Sequence, residues 1–305
     1  MALTKVSNSM LVQPVNHNIL INPSFTVKQR GDVVDHATTS YGPDRWVVRG
    51  KSDVGGTKVE STTGVDDTTG INKLVVKHEG TTVNSAHAYQ LIETINFQGL
   101  YSKEMTFSFS YSDVGGSGIP HVAISSYDSS AIAKTLFNTI PTSLGDNRWT
   151  CTFTLSTTDG TIPDPSEQGM QVAIYTNEQN NSPDKWYVWE TKLEVGSVAT
   201  PFIARSHGEE LALCQRYYYS TEENTQIYYS AASYKLGGNS ETGVVDVWFP
   251  VPMRTSPTLL PYTASSLDAK SEVITMNRAR LNGAPTNMDN CSKVESSLMF
   301  DAEFS

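Results

Sequence analysis

From residue 18 to residue 200 the chain repeats one habit, short β-branched or aromatic runs separated by clusters of Gly, Pro, Asn and Asp. That habit predicts strands joined by tight turns, and an all-β fold of the sandwich or jelly-roll kind. The expected strands cover residues 45–49, 73–78, 87–95, 104–112, 121–127, 134–140, 149–155, 170–176 and 185–195. In the fourth of them Met105, Phe107, Phe109 and Tyr111 alternate with Glu104, Thr106, Ser108 and Ser110, the period of two that sets one face on a core. Carried along residues 185–195, the same alternation puts Tyr187, Trp189, Thr191, Leu193 and Val195 on one face. Trp186, Val188, Glu190 and Lys192 are left on the other, which reads as solvent-facing. The two Asp-Val-Gly-Gly runs, at Asp53 and Asp113, read as unrelated turns because their flanks do not match.

The pattern breaks at both ends of this region. Residues 1–17 hold apolar side chains at no useful period and read as an extended arm that docks on something else. Residues 18–204 form the expected jelly roll, 205–220 a connecting helix and 221–305 a second, smaller β domain. Ser206-His207-Gly208-Glu209 has the capping-box form, and Glu210 adds a second acid to the first turn. Leu211, Cys214 and Tyr218 give that helix one apolar stripe, and it is expected to hinge the two domains. Beyond it, 226–234, 244–251, 258–262, 272–276 and 297–304 read as strands, with Pro250, Pro252, Pro257 and Pro261 holding the middle ones to edges or ends.

Length and charge narrow the function. The 305 residues suggest about two domains, and 22 basic against 32 acidic side chains give 22 − 32 = −10, which argues against a nucleic-acid coat. No apolar run approaches the ~18 residues of a membrane span, and no basic-then-apolar segment opens the chain. A soluble chain made without a Sec signal and without membrane insertion is therefore expected. Cys151, Cys214 and Cys291 are odd in number and lack CxxC spacing, so free thiols are expected, buried for Cys151 and Cys214 among their apolar neighbours.

None of HExxH, GxSxG, GxxxxGK[ST] or a strand-to-helix GxGxxG is present, and the six histidines form no helical i, i+4 pair. The chain is accordingly read as a non-enzyme with no cofactor and no metal. Glu93, Glu190 and Glu194 sit on expected strands, and a depolymerase would need two such carboxylates in a cleft; acids that keep a strand surface soluble are the competing reading. Asp66-Asp67, and Asp164 with Glu167, offer oxygen-rich turns for calcium against a reading as solvated acids. Aromatics on polar strands are the positive signal, because a sugar ring stacks its apolar face on Trp or Tyr while its hydroxyls bond nearby polar groups. Trp186 and Trp46 are the candidate glycan platforms, the alternatives being a covered Trp186 and a core-packed Trp46.

Several stretches, in order, resemble a known class. Met1-Ala2-Leu3-Thr4-Lys5-Val6-Ser7-Asn8-Ser9-Met10 resembles the opening arm of bacteriophage tail-fibre and tailspike subunits. Asn18-Ile19-Leu20-Ile21-Asn22-Pro23-Ser24-Phe25, Gln29-Arg30-Gly31 and Tyr41-Gly42-Pro43-Asp44-Arg45-Trp46 are similar to the start of jelly-roll modules, themselves like carbohydrate-binding domains, in phage virion proteins. Trp189 to Gly196, Ala199-Thr200-Pro201-Phe202 and Gly208 to Tyr218 match the closing strand and following helix, and Phe249 to Arg254 with Phe300 to Phe304 match a small C-terminal β domain. The resemblance implies a virion protein assembled in the host cytoplasm: a short tail fibre or receptor-binding subunit attaching to a host surface glycan. It implies an arm that anchors to other virion proteins, with Leu3, Val6 and Met10 as its contact candidates. It also implies a homotrimer, for which Tyr217, Tyr219, Trp248 and Phe249 are the interface candidates. The coiled-coil or β-helical shaft usual in long fibres is missing, which keeps open a capsid decoration, a cement or head-fibre protein, as the alternative.

Overall fold

The computed structural model describes residues 18–31, 33–36, 39–52, 58–65, 70–79, 83–97, 99–114, 118–127, 132–155, 169–177, 185–221, 227–228, 243–260, 267–285, 293–294 and 298–303. In chain order the first strands are β1 Val33–His36, β2 Thr39–Tyr41, β3 Trp46–Ser52, β4 Lys58–Val65, β5 Asn72–Glu79, β6 Val83–Glu93 and β7 Glu104–Val114. There follow β8 Pro120–Tyr127, β9 Ile132–Thr139, β10 Thr142–Gly145, β11 Arg148–Thr154, β12 Gly169–Asn177 and β13 Lys185–Val195. They pair antiparallel in a seven-stranded sheet, ordered β1, β4, β5, β13, β7, β11, β10, and a six-stranded sheet, ordered β2, β3, β6, β12, β8, β9. The chain is thus an all-β sandwich, as its pattern predicts.

Each expected strand of the region appears. One is cut short, because Thr94–Phe97 turn into a single helical turn, α1, where the sequence reads as continuing strand. The core is the meeting of the two inner faces: Met105, Phe107, Phe109 and Tyr111 from β7 against Ala86, Ala88, Val122, Ile124, Val172 and Ile174. A fully buried Phe or Ile contributes about 1.5–3 kcal/mol by leaving water. At Gly169 the backbone of β6 comes so close that an added Cβ would lie 2.2 Å from the Ile92 carbonyl oxygen. Gly169→Ala is expected to force β12 away from β6 and destabilise by about 1–3 kcal/mol, read as a lower urea midpoint.

Strand β13 departs from simple alternation. Its register against β7 slips between Trp189 and Lys192, and Glu190 carries a left-handed φ of 51°. This bulge inserts one residue, so the inward positions are Trp186 and Val188 before it and Leu193 after it. The expectation of an exposed Trp186 is therefore corrected: its ring is 0 % exposed, and the polar side chains after the bulge, Lys192 and Glu194, are the ones that turn outward. Even these are covered, Lys192 bonding Glu194 at 3.1 Å and Pro201 O at 3.2 Å.

After the sandwich, Ser206 caps α2, His207–Gln215, and the reciprocal capping box forms as expected: Ser206 Oγ accepts from Glu209 N–H at 3.3 Å and Glu209 accepts from Ser206 N–H at 3.0 Å. The helix is fastened to the sandwich through buried Glu210, which accepts from Asn22 N–H at 2.8 Å and from Arg205 at 2.9 Å. The remaining strands are β14 Tyr218–Ser220, β15 Ile227–Tyr228, β16 Gly243–Trp248, β17 Thr258–Leu259, β18 Leu267–Ile274, β19 Arg278–Pro285, β20 Lys293–Val294 and β21 Met299–Asp301. They form the sheets β14, β21, β17 and β16, β19, β18, which meet in a second cluster that includes Val247, Phe249, Met253, Leu281, Leu298 and Phe300, and a separate pair β15, β20.

The chain end returns to the sandwich. Arg45, fully buried, makes short bonds to the Glu303 carboxylate and the Leu91 carbonyl and lies 3.5 Å above the Tyr217 ring. Arg30 adds Asp301 at 3.3 Å and Glu303 at 3.5 Å, and sits 3.7 Å above the Tyr218 ring. Arg254 closes the knot by donating to the Ala302 and Glu303 carbonyls at 2.8 and 2.9 Å. These contacts correct the trimer assignments. Tyr217 is buried under Arg45, Phe249 is buried with Phe300 in the C-terminal cluster, and half-buried Tyr219 packs against them. Among the four, Trp248 alone is exposed, at 65 %, with the Arg278 guanidinium 5.1 Å from its ring centre.

Candidate functional site

At the end of β7 the inward parity brings Tyr111 and then Asp113 to the open end of the sandwich. Across β11 from them, the β10–β11 hairpin closes through Asp146-Asn147, with φ of 47° and 62°, the left-handed pair of a type I′ turn. Asp and Asn tolerate that conformation because their short polar side chains bond locally. Tyr111 N–H donates to the Asn147 carbonyl at 2.9 Å, which ties the turn to the strand end. Between them lies a groove of about 300 Å³ lined by Tyr111, Ser112, Asp113, Gly118, Ser143, Gly145, Asp146, Asn147 and Trp149. That volume is at the lower end of the range for small-ligand sites.

The groove is held rigid from behind. Arg148 reaches across the outer face of β7, donating to Ser108 Oγ at 2.7 Å and to the Glu190 carbonyl in the β13 bulge at 2.7 Å. Burial pushes the Arg148 pKa down, with Glu190 and Glu194 opposing. Trp186 pairs across strands with Asp113, and its ring centre is 5.9 Å from that of Tyr111. Trp186 thus packs in the core behind Tyr111 and does not itself line the groove.

Among the described residues the Tyr111 hydroxyl is left with unused bonding capacity, as is the indole N–H of Trp186 behind it. Tyr111 is 3 % exposed, and among the described residues its hydroxyl has no hydrogen-bond partner. Burial, and then the negative charge of Asp113, push its pKa up, so it stays a neutral donor. Asp113 uses one carboxylate oxygen on Gly118 N–H at 2.9 Å. A buried hydroxyl without a partner costs about 1–3 kcal/mol, a cost that a bound hydroxyl relieves. Half-buried Trp149 supplies an apolar wall, and Val114, Ile119 and Leu144, each beside a lining residue, are exposed on the rim. Carboxylates, an amide, hydroxyls and an indole around one hollow match the two-sided chemistry of a sugar, polar at its edge and apolar on its face.

The sequence candidates fare differently. Trp46 is 0 % exposed; it packs edge-on to Phe25, and its indole N–H donates to the Asn22 carbonyl at 3.0 Å, so it too is corrected from platform to core. Glu93 is held by Arg216 at 3.2 Å, and Glu194 bonds Thr200 N–H at 2.8 Å. Cys151 and Cys214 are buried free thiols, and burial pushes the Cys151 thiol up to about 12. Leu3, Val6, Met10, Cys291, Asp66-Asp67 and Asp164 with Glu167 lie outside the described residues. The groove residues Tyr111, Asp113, Asp146 and Asn147 were missed as a group. The signal available for them was Gly145-Asp146-Asn147 between two β runs, a hairpin turn by composition.

No family model matches the chain, and no curated protein matches it. Solved structures do. The Stig cyclase Fisc from Fischerella sp. TAU is similar over 60 % of this chain and 98 % of its own, with 13 % identity and a TM-score of 0.38. The C-terminal family 22 carbohydrate-binding module of a Clostridium thermocellum protein covers 62 % of this chain and 100 % of its own, at 14 % identity and a TM-score of 0.38. A xylan-binding domain from Paenibacillus barcinonensis covers 57 % and 100 %, at 14 % identity and a TM-score of 0.32. Likeness at this level says nothing of a ligand; the groove carries the functional reading.

Proposed function

We propose that this chain is a glycan-binding subunit that takes a neutral sugar into the groove at the end of its sandwich, without turnover. The observation that carries the reading is the buried Tyr111 hydroxyl, unpartnered among the described residues, beside Asp113 in a hollow walled by Trp149. Two carboxylates that line the groove, Asp113 and Asp146, accept from sugar hydroxyls and repel anionic ligands. Tyr111→Phe is the discriminating variant. It removes an unsatisfied donor, so the urea midpoint is expected to hold or rise, while affinity for a neutral oligosaccharide falls about tenfold. Equal affinity in both proteins would remove the hydroxyl from the site. New reducing ends on incubation with polysaccharide would overturn the absence of turnover.

The order of sequence motifs supports a place on a phage particle, as a short tail fibre or receptor-binding subunit whose N-terminal arm, through Leu3, Val6 and Met10, docks on other virion proteins. Trimerisation in this reading uses the exposed Trp248 face of β16, and many copies multiply weak sugar contacts. The same exposed Trp248 with Arg278 favours a second reading, a capsid decoration that grips protein neighbours. Immunogold label confined to tails supports attachment; label spread over heads supports decoration.

A further inference from the structure

We infer that the outer face of the six-stranded sheet carries a second binding site, independent of the end groove, for an acidic saccharide. Cross-strand register lines up Arg49 on β3, His87 on β6, Tyr175 on β12 and His121 on β8 as successive partners. At about 4.8 Å between strands, this row is about 14 Å long, enough for two or three sugar rings. The side chains stand on the face opposite the core, since Ala86, Ala88, Ile174 and Val122 are the inward neighbours.

The rings form one aromatic strip. His87 stacks on Tyr175 at 5.0 Å between centroids, and His121 lies 5.1 Å from it on the other neighbouring strand. The Tyr175 hydroxyl donates to Asn138 on β9 at 2.9 Å, which fixes the strip in place and extends its polar edge. In the adjacent row Val47, Tyr89 and Ala173 are buried in an apolar cluster with Tyr217, with Ala123 packed against it, so the strip borders a covered part of the sheet.

Charge selects the occupant. The protein as a whole is at −10, yet this row offers one guanidinium and two imidazoles. Thr39 on β2 is the register partner of Arg49, and Asn138 on β9, the partner of Ala123, reaches the row through Tyr175; neither residue is charged. Among the described residues of this face, the carboxylate on β6 is Glu93, six residues beyond His87 and already held by Arg216. A local cationic and aromatic strip on an acidic protein fits a ring ligand bearing carboxylates, with Arg49 as the bidentate partner. Burial lowers the His121 pKa, so its charging, and the tightening it brings, fall below the ordinary imidazole range.

The test uses the full chain with a four-unit oligogalacturonate and with xylotetraose as the neutral control, by titration calorimetry at about pH 5.5 and about pH 7.5. The acidic ligand is expected to bind about tenfold more tightly at the lower pH. Arg49→Gln should weaken it at both pH values, and the pair His87→Gln with His121→Gln should flatten the pH response. Asp113→Asn, in the end groove, should leave this binding unchanged, which separates failure of one site from failure of the other. Circular dichroism that matches the wild type is required of each variant. No heat with the acidic ligand at either pH would overturn the inference, as would an unaltered pH response in the double histidine variant or equal affinity in Arg49→Gln.

Discussion

Glu303→Ala is expected to destabilise the chain by about 3–5 kcal/mol, because it leaves the Arg45 guanidinium buried with its opposite charge gone. Arg45 is 1 % exposed and cannot turn to water without lifting off Tyr217. The Leu91 carbonyl that it also bonds does not neutralise a cation. Arg30 loses the same carboxylate and keeps Asp301. The effect is read as a fall in the urea midpoint, with the C-terminal tryptophan signal of Trp248 moving first. The double variant Arg45→Met with Glu303→Leu is expected to regain most of the stability, since replacing both buried charges removes the desolvation cost along with the attraction. A single variant as stable as the wild type would mean that water reaches the pair.

Trp186→Ala is the second large effect, about 3–5 kcal/mol, from emptying a fully buried indole site in the main core. The cavity would lie between Tyr111 and the β5 partner Val76, so the groove residue Tyr111 loses the ring packed behind it. Sugar binding should therefore disappear even in molecules that remain folded. Trp149→Ala separates the two roles: half-buried Trp149 costs less stability but removes the apolar wall. If Trp186→Ala retained both the midpoint and the affinity, the indole would have no part in either.

The all-β fold was legible because alternation such as Met105, Phe107, Phe109 and Tyr111 reports a buried face directly. The capping box at Ser206 was legible for a similar reason, since both partners lie within four residues. Strand β4, Lys58–Val65, escaped notice because it offers only two valines among polar residues, and β14 was absorbed into the reading of a helix. Trp186 failed differently. One inserted residue at Glu190 reverses the phase of β13, and nothing in the local sequence marks the bulge. The resemblance motifs had a further lesson. Asn22, Asp44, Arg45 and Glu210, all within them, form the knot that joins sandwich, helix and chain end. The groove draws on Tyr111, Asp113 and Asp146, which lie outside every motif stretch.

A glycan array probed with the wild type and with the Asp113→Asn, Asp146→Asn double variant tests the central claim most directly. Both substitutions keep side-chain size, and Asp146→Asn keeps the residue class that the left-handed turn favours. Binding of neutral saccharides by the wild type, lost in the variant while the urea midpoint is unchanged, is the predicted result. An identical neutral-sugar profile in the two proteins would contradict the account, as would a wild type that binds no neutral saccharide.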